Sequence, residues 1–417
     1  ATADEGDLDG GSRGFTIFNY SDGIVSIPVT SGNFDEHLVG SIGHYPEGRS
    51  ENKGNEPEGA EFGQYGDDRL LFIGSERSSV VSVYDLDDDN FPELKQVLPV
   101  GLAPEGLLAI PDRDLFVVAS EDDSRGDKYR SSITIFELSE GGATYPTVVS
   151  ADREGEETPI PWGALSALAG DLEDEERAWT VYDSFYKESR IFELAVDTGS
   201  SYLGATPAMI TGEIVLKDDN GIFADVLEEI ADPELLPDFD PAALLNEDGS
   251  VNLDPEGLAV RDDGGFWLCS EGRGTVGDDG RPIESRNWIF AVSPEGVIEE
   301  VVNLPDGTNA RQRRFGLEGV TSVGSADDED VFDCFQREWG VDGVGLGADP
   351  AGHVRIGRYQ VAGENAGEWT FYYYPLDPRE SPNGGWVGLS EIVDVDESGF
   401  LILERDNQGG TDAAIKR

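Results

Sequence analysis

One short grammar recurs along the chain: a Glu-Gly pair, an apolar strand, a polar or glycine turn, a second strand rich in Val, Phe and Leu, and an acidic or arginine-bearing exit. It reads "PEGAEFGQYGDDRLLFIGSER" from Pro57, "PEGLLAIPDRDLFVVASED" from Pro104, "DPEGLAVRDDGGFWLCSEGRG" from Asp254 and "LEGVTSVGSADDEDVFDCFQRE" from Leu317. A looser copy, "LSEIVDVDESGFLILERDN", starts at Leu389, and "WGALSALAGDLEDEERAWTVYDSFY" from Trp162 fills the same slot without the leading glutamate. Copies begin roughly 50 to 90 residues apart, with apolar segments such as "NWIFAVS" and "VRIGRYQV" between them. Strand pairs in a four-stranded unit, repeated about six times, predict an all-β chain built as a six- or seven-bladed β-propeller. The N-terminal "GFTIFNYSDGIVSIPV" adds a hairpin or closing strands. A β-sandwich is the alternative, whereas long variable connections argue against a β-helix.

Residues 1–14 read as a tail and 15–417 as one propeller domain. A short helical insertion is expected within residues 220–250, where Phe223, Val226, Leu227 and Ile230 keep helical spacing until Pro233 stops it.

The formal charge is 29 minus 86, or -57. Self-repulsion of that size is severe at low ionic strength and is screened within roughly 10 Å at about 0.1 M salt. Because the acid is spread along the chain, it predicts a solvated surface adapted to salt and disfavours nucleic acid as a partner. No run of about 18 apolar residues is present to span a bilayer. The chain opens at Ala1 without a signal sequence, as a mature secreted chain would, and a high-salt extracellular or periplasmic setting is the expectation. Cys269 and Cys334 allow one bridge at most, and two buried thiols are favoured over it.

In an antiparallel hairpin, the residue entering the first strand and the residue leaving the second lie at the same end. Glu58 with Glu76, Glu105 with Glu121, Glu256 with Glu271, Glu318 with Glu338 or Arg337, and Glu391 with Glu404 are each returned to one rim. Carboxylates at such density need protons, arginines or a hard cation. Arg77, Arg273, Arg337 and Arg405 sit near the exit acids. Oxygen donors without cysteine or histidine suit Ca²⁺, and next Mg²⁺, but not Zn²⁺. Glu58, Glu105, Glu256, Glu318 and Glu391 are the expected ligands, though each glutamate could instead cap a turn.

Other chemistry is disfavoured by the motifs. His37, His44 and His353 form no H-E-x-x-H, and "WGALSALAG" lacks the spacing of a serine elbow. "DVDESGFLILER" from Asp394 places Arg405 where a calcium loop needs glutamate, so it reads as a hairpin turn.

As a set, "DPEGLAV…GGFWLCSEG", "RFGLEGVTSV", "FQREW", "HVRIGRY", "YYYPLD", "GGWVGLSEI" and "LILERDNQGG" resemble the phytase-like family, known for an esterase-like activity of phytase. The resemblance covers residues 100–417. It implies a secreted propeller-like domain with phosphoesterase chemistry, and it carries over onto Glu105, Glu256, Glu271, Glu318, Glu391, Glu404 and Asp406. The resulting expectation is a Ca²⁺-dependent hydrolase of a small phosphate ester. In it Glu271, Glu404 or Asp406 activates water and Arg273, Arg337 or Arg405 holds a phosphate oxygen. A non-catalytic propeller locked by cations and binding a polymer or protein is the second expectation, and a lactonase-like hydrolase the third.

Overall fold

The computed structural model describes residues 1–6, 11–87, 92–124, 129–230, 239–325, 328–340, 349–381, 384–396, 399–409 and 413–415. They form two compact units, one of Ala1–Gly163 with Ala195–Gly212, the other of Ala164–Leu194 with Glu213–Arg417. The regular structure of both is mainly antiparallel strand pairs.

The six sequence copies are six hairpins, whose strands are numbered here in chain order. In the first unit they are β1 (Pro57–Tyr65) with β2 (Asp68–Ser75) and β3 (Pro104–Ile110) with β4 (Leu115–Ser120). In the second they are β5 (Leu165–Gly170) with β6 (Arg177–Tyr182), β7 (Pro255–Val260) with β8 (Phe266–Ser270), β9 (Leu317–Val323) with β10 (Asp330–Phe335), and β11 (Val387–Asp396) with β12 (Gly399–Asp406).

Within the first unit, β1 and β2 continue into strands Val80–Asp85 and Glu93–Pro99, and β3 and β4 into Ser132–Glu137. Strands Phe15–Ser21 and Ile24–Thr30 form the N-terminal hairpin, with Thr2–Ala3 paired to its outer edge. Stacked Phe72 and Phe116, 3.9 Å apart, centre the core between β2 and β4.

Within the second unit, β7–β8 and β9–β10 each grow into a four-stranded meander, through Trp288–Val292 with Ile298–Asn303 and His353–Gln360 with Trp369–Pro375. The runs "FWLCS" and "WIFAV" are buried at every position, which explains why they carry no polar alternation. The expected helix spans Ile222–Ile230 and seats Phe223 edge-on to Trp288 and Phe290. Its proline stop lies outside the described residues. Cys269 and Cys334 are free, buried thiols, so no bridge joins neighbouring hairpins.

The first strands β5, β7, β9 and β11 lie side by side in that order. All six hairpins share one irregularity at the start of the first strand. Pro57 pairs Ser75 and Gly59 pairs Gly74, leaving Glu58 as an extra, unpaired residue. The same bulge ejects Glu105, Glu256 and Glu318 and, in the divergent copies, Ser390, while in β5 the extra residue falls within Ser166–Ala167. A bulge re-aims one side chain away from the pleat. The following glycine has its own reason: a Cβ on Gly257 would sit 2.7 Å from Val320 N and 2.8 Å from Gly319 Cα, and one on Gly319 would sit 2.8 Å from Ile392 N. At β7 and β9 glutamate and glycine are therefore one device, the first thrown out by the bulge and the second letting neighbouring first strands touch.

Candidate active site

In the second unit the bulges and the exits meet. The residue leaving the second strand is Asp183, Glu271 or Gln336, whose backbone N–H bonds back to Ala164, Asp254 and Gly316 respectively, and Arg405 holds the matching position inside β12. Asp183, Asp254 and Glu256 bring one oxygen each within 4.8 Å of one another. Ser166, in the bulge of β5, donates to Glu256 Oε2 at 2.7 Å. Glu271 Oε1 accepts from Gly316 N at 2.6 Å, and Glu318 accepts from the Gln336 amide.

The crowding is visible in the protonation of each acid. Burial first, then the charges of Asp183, Glu271 and Asp254, push Glu256 up to about 8 despite its bond from Ser166. Glu318 is pushed up to about 9 by burial and by Glu256 and Glu271, with Arg405 pulling the other way. Asp254 and Glu271 are raised as well, mainly by burial. Arg273 approaches Asp254 Oδ2 only to 3.7 Å, and Asp254 Oδ1 is buried without a hydrogen-bond donor.

Arginines gather beside these acids. Arg405 bonds Ser390 Oγ through Nε at 2.7 Å, and both Arg405 and Arg337 lie over the Trp386 ring. A pocket of about 290 Å³ beside Glu271 is lined by Arg273, Arg281 and Arg314. In a chain with 29 basic residues against 86 acidic ones, this grouping is a local exception to the field.

Other expected site residues lie elsewhere. Glu391 stands in the glycine slot of its hairpin, not the bulge slot; its Oε1 is 2.5 Å from where a Gly319 Cβ would lie, and burial pushes its carboxyl up to about 7. Glu404 pairs directly with Leu389 and accepts from Tyr374 Oη at 3.0 Å and Asp377 N at 2.7 Å. Asp406 accepts from Ala414, Ile415 and Gln408 N–H groups, fastening the segment after β12. Glu338 lies two residues past the exit, where it accepts from Gly352 N.

In the first unit, Glu56, Glu58 and Glu76 also cluster within 4.8 Å. Here the compensation is built in: Arg77 bridges Glu56 and Glu76 at 2.9 Å, Arg49 pairs with Glu56, and Lys53 holds Glu5 beside Glu58. Glu105 and Glu121 are exposed and outside the cluster.

Sequence reasoning missed Asp183, Asp254, Arg281 and Arg314. The hairpin register finds the first, since Asp183 holds the exit slot that Glu271 holds one hairpin later.

The profile of the phytase-like family, described as esterase-like activity of phytase, matches residues 160–417. That of the choice-of-anchor I domain matches residues 8–89. No curated protein matches the chain. Among solved structures, Kuenenia stuttgartiensis hydrazine synthase is 12% identical over 74% of this chain and 63% of its own, with a TM-score of 0.25. This chain thus spans less than two thirds of that protein's length. Chaetomium thermophilum Sqt1 is 14% identical over 83% and 68%, with a TM-score of 0.28. The periplasmic gluconolactonase PpgL of Pseudomonas aeruginosa is 15% identical over 82% and 76%, also at 0.28. Likenesses at these TM-scores carry no weight for shape or chemistry.

Proposed function

The chain belongs to the phytase-like family, and from that premise we propose that it is a cation-assisted hydrolase of phosphate esters working among Asp183, Asp254, Glu256, Glu271 and Glu318. The observation that carries this is the crowded acid cluster: three carboxylates within 4.8 Å, one oxygen of Asp254 buried without a donor, and arginines next door.

These residues fit a hard cation. All the donors are carboxylate oxygens, which suits Ca²⁺, or Mg²⁺, and the buried oxygen of Asp254 is left for a ligand other than a protein N–H. Asp183, Asp254 and Glu256 would hold it. Bound there, such an ion supplies neutralisation of the phosphate charge and polarisation of a P–O bond. The chain's own residues do the rest. Glu271, fixed by Gly316 N–H and raised toward neutrality, takes a proton from water as its oxygen attacks phosphorus. The ester P–O bond breaks, and Glu318, protonated at neutral pH, gives the departing alkoxide its proton. Arg337 and Arg405 hold the non-bridging oxygens.

The accompanying fold is a β-propeller of six or seven blades, supported by six hairpins with one shared bulge. The salt-rich, extracellular or periplasmic setting rests on the charge of -57.

The test is hydrolysis of a phosphomonoester, a phosphodiester and phytate by purified protein with excess calcium in high salt. Turnover of at least one is expected, with Glu271→Gln lowering kcat by about 10²–10⁴ while leaving calcium-dependent stabilisation intact. No turnover of any of the three rejects the enzyme reading. One observation favours a second reading, a non-catalytic domain locked by cations: in the first unit Glu56 and Glu76 of a similar acid cluster are already held by arginine ion pairs. Stabilisation by calcium without turnover would select it.

A further inference from the structure

Phe315 and Trp386 lie with ring centroids 5.3 Å apart. The Arg337 guanidinium is 4.7 Å from the Trp386 centroid and 5.5 Å from that of Phe315; Arg405 is 5.3 Å from Trp386, and Arg314 is 4.1 Å from Phe315. In so acidic a chain the ready way to fix an arginine is a carboxylate, as Asp349 fixes Arg355. Arg337 has only a long pairing of that kind, with Glu338 at 3.8 Å, and among the described residues its Nε is buried without a partner. A carboxylate fixes an arginine and cancels its charge. A ring face fixes it, keeps the charge and leaves the in-plane N–H groups for a ligand.

Both rings are themselves held. Asn407 Oδ1 accepts from Trp386 N at 2.9 Å, and Asn407 N donates to Trp386 O at 3.1 Å. Phe315 has φ of 72°, a left-handed backbone that a bulky residue adopts only under constraint. The residue after it is fixed by Glu271, whose Oε1 accepts from Gly316 N at 2.6 Å. Glu271 thus ties the backbone next to Phe315 to the acid cluster, and Arg405, over Trp386, is close enough to Glu318 to act on its charge.

We propose that Trp386 and Phe315 are positioning residues that hold the guanidinium groups of Arg337 and Arg405, still charged, to receive a phosphoryl group beside Glu271 and Glu318. This rests on the phosphoester reading above. The rings touch no reacting atom; they act through the arginines.

The experiment compares wild type, Trp386→Leu, Trp386→Phe and Phe315→Gly, all calcium-loaded, for calorimetric binding of inorganic phosphate and for hydrolysis of para-nitrophenyl phosphate. Trp386→Leu should weaken phosphate binding and raise KM about tenfold, with a much smaller change in kcat, and Trp386→Phe should recover to within about threefold. Phe315→Gly relieves the left-handed strain while deleting the ring, so it should fold at least as well as wild type yet bind phosphate more weakly. It also serves if Trp386→Leu fails to fold. Wild-type phosphate affinity in Trp386→Leu or Phe315→Gly, or failure of Trp386→Phe to recover, overturns the positioning role and leaves the phosphoester reading standing. A wild-type protein that neither binds phosphate nor turns over the ester overturns both.

Discussion

Glu256 and Glu318 are acids whose pKa values burial and neighbouring carboxylates hold above neutrality. A carboxyl with a raised folded-state pKa stabilises the fold while protonated, fully so below its unfolded value, and that contribution is lost as pH climbs through the folded value. With chelator present, the melting temperature should therefore fall between about pH 5 and about pH 9. Calcium should restore it most at the alkaline end, because the ion takes only ionised carboxylates. Glu256→Gln and Glu318→Gln should each raise the chelated melting temperature at the alkaline end and shrink the calcium effect. Thermal melts by circular dichroism check this, and a flat chelated profile would contradict it. Glu256, Glu271 and Glu318 are legible in the sequence because their hairpins keep the Glu-Gly pair. Glu391 misleads because "LSE" shifts its glutamate one place, putting Ser390 in the bulge. No periodicity reveals that shift, since a bulge is an extra residue in a pattern of two.

At the scale of the strand, the glycine after the bulge in β7 and in β9 is the tighter constraint. Gly319→Ala would bring a Cβ to 2.5 Å from Glu391 Oε1, 2.8 Å from Ile392 N and 2.9 Å from Glu391 Cα. The first can swing aside and the other two, being backbone, cannot. A loss of about 1–3 kcal/mol is expected in urea denaturation. Gly170→Ala, in β5 with open space at its Cβ, serves as the control and should be near neutral. Equal effects at both positions would refute the close-approach explanation. The hairpins themselves are readable from apolar runs and turns, as is helix Ile222–Ile230 from its spacing. Hidden from the sequence is the reason for the glycine, which lies on the neighbouring hairpin more than sixty residues away in the chain.

For the molecule as a whole, the charge of -57 sets the dependence on solvent. Sodium chloride should raise the melting temperature well past about 0.1 M, because screening continues to shorten from roughly 10 Å toward about 3 Å at molar salt. A plateau reached by about 0.2 M would argue against adaptation to brine. Such screening is unspecific, so it should survive chelator, unlike the calcium effect. Acidity on this scale is plain in the composition; the gathering of arginines beside the acids is not, because it depends on which hairpins become neighbours. The two cysteines give a way to watch those neighbours part. Cys269 Sγ fills the space that a Gly257 side chain would need, Cys334 is equally sealed, and burial pushes both thiols far up. A thiol-reactive dye in solution therefore finds nothing to label until β7 parts from β9, freeing Cys269, or β9 from β11, freeing Cys334, and its rate of uptake becomes a clock for those openings, read without adding any probe to the chain.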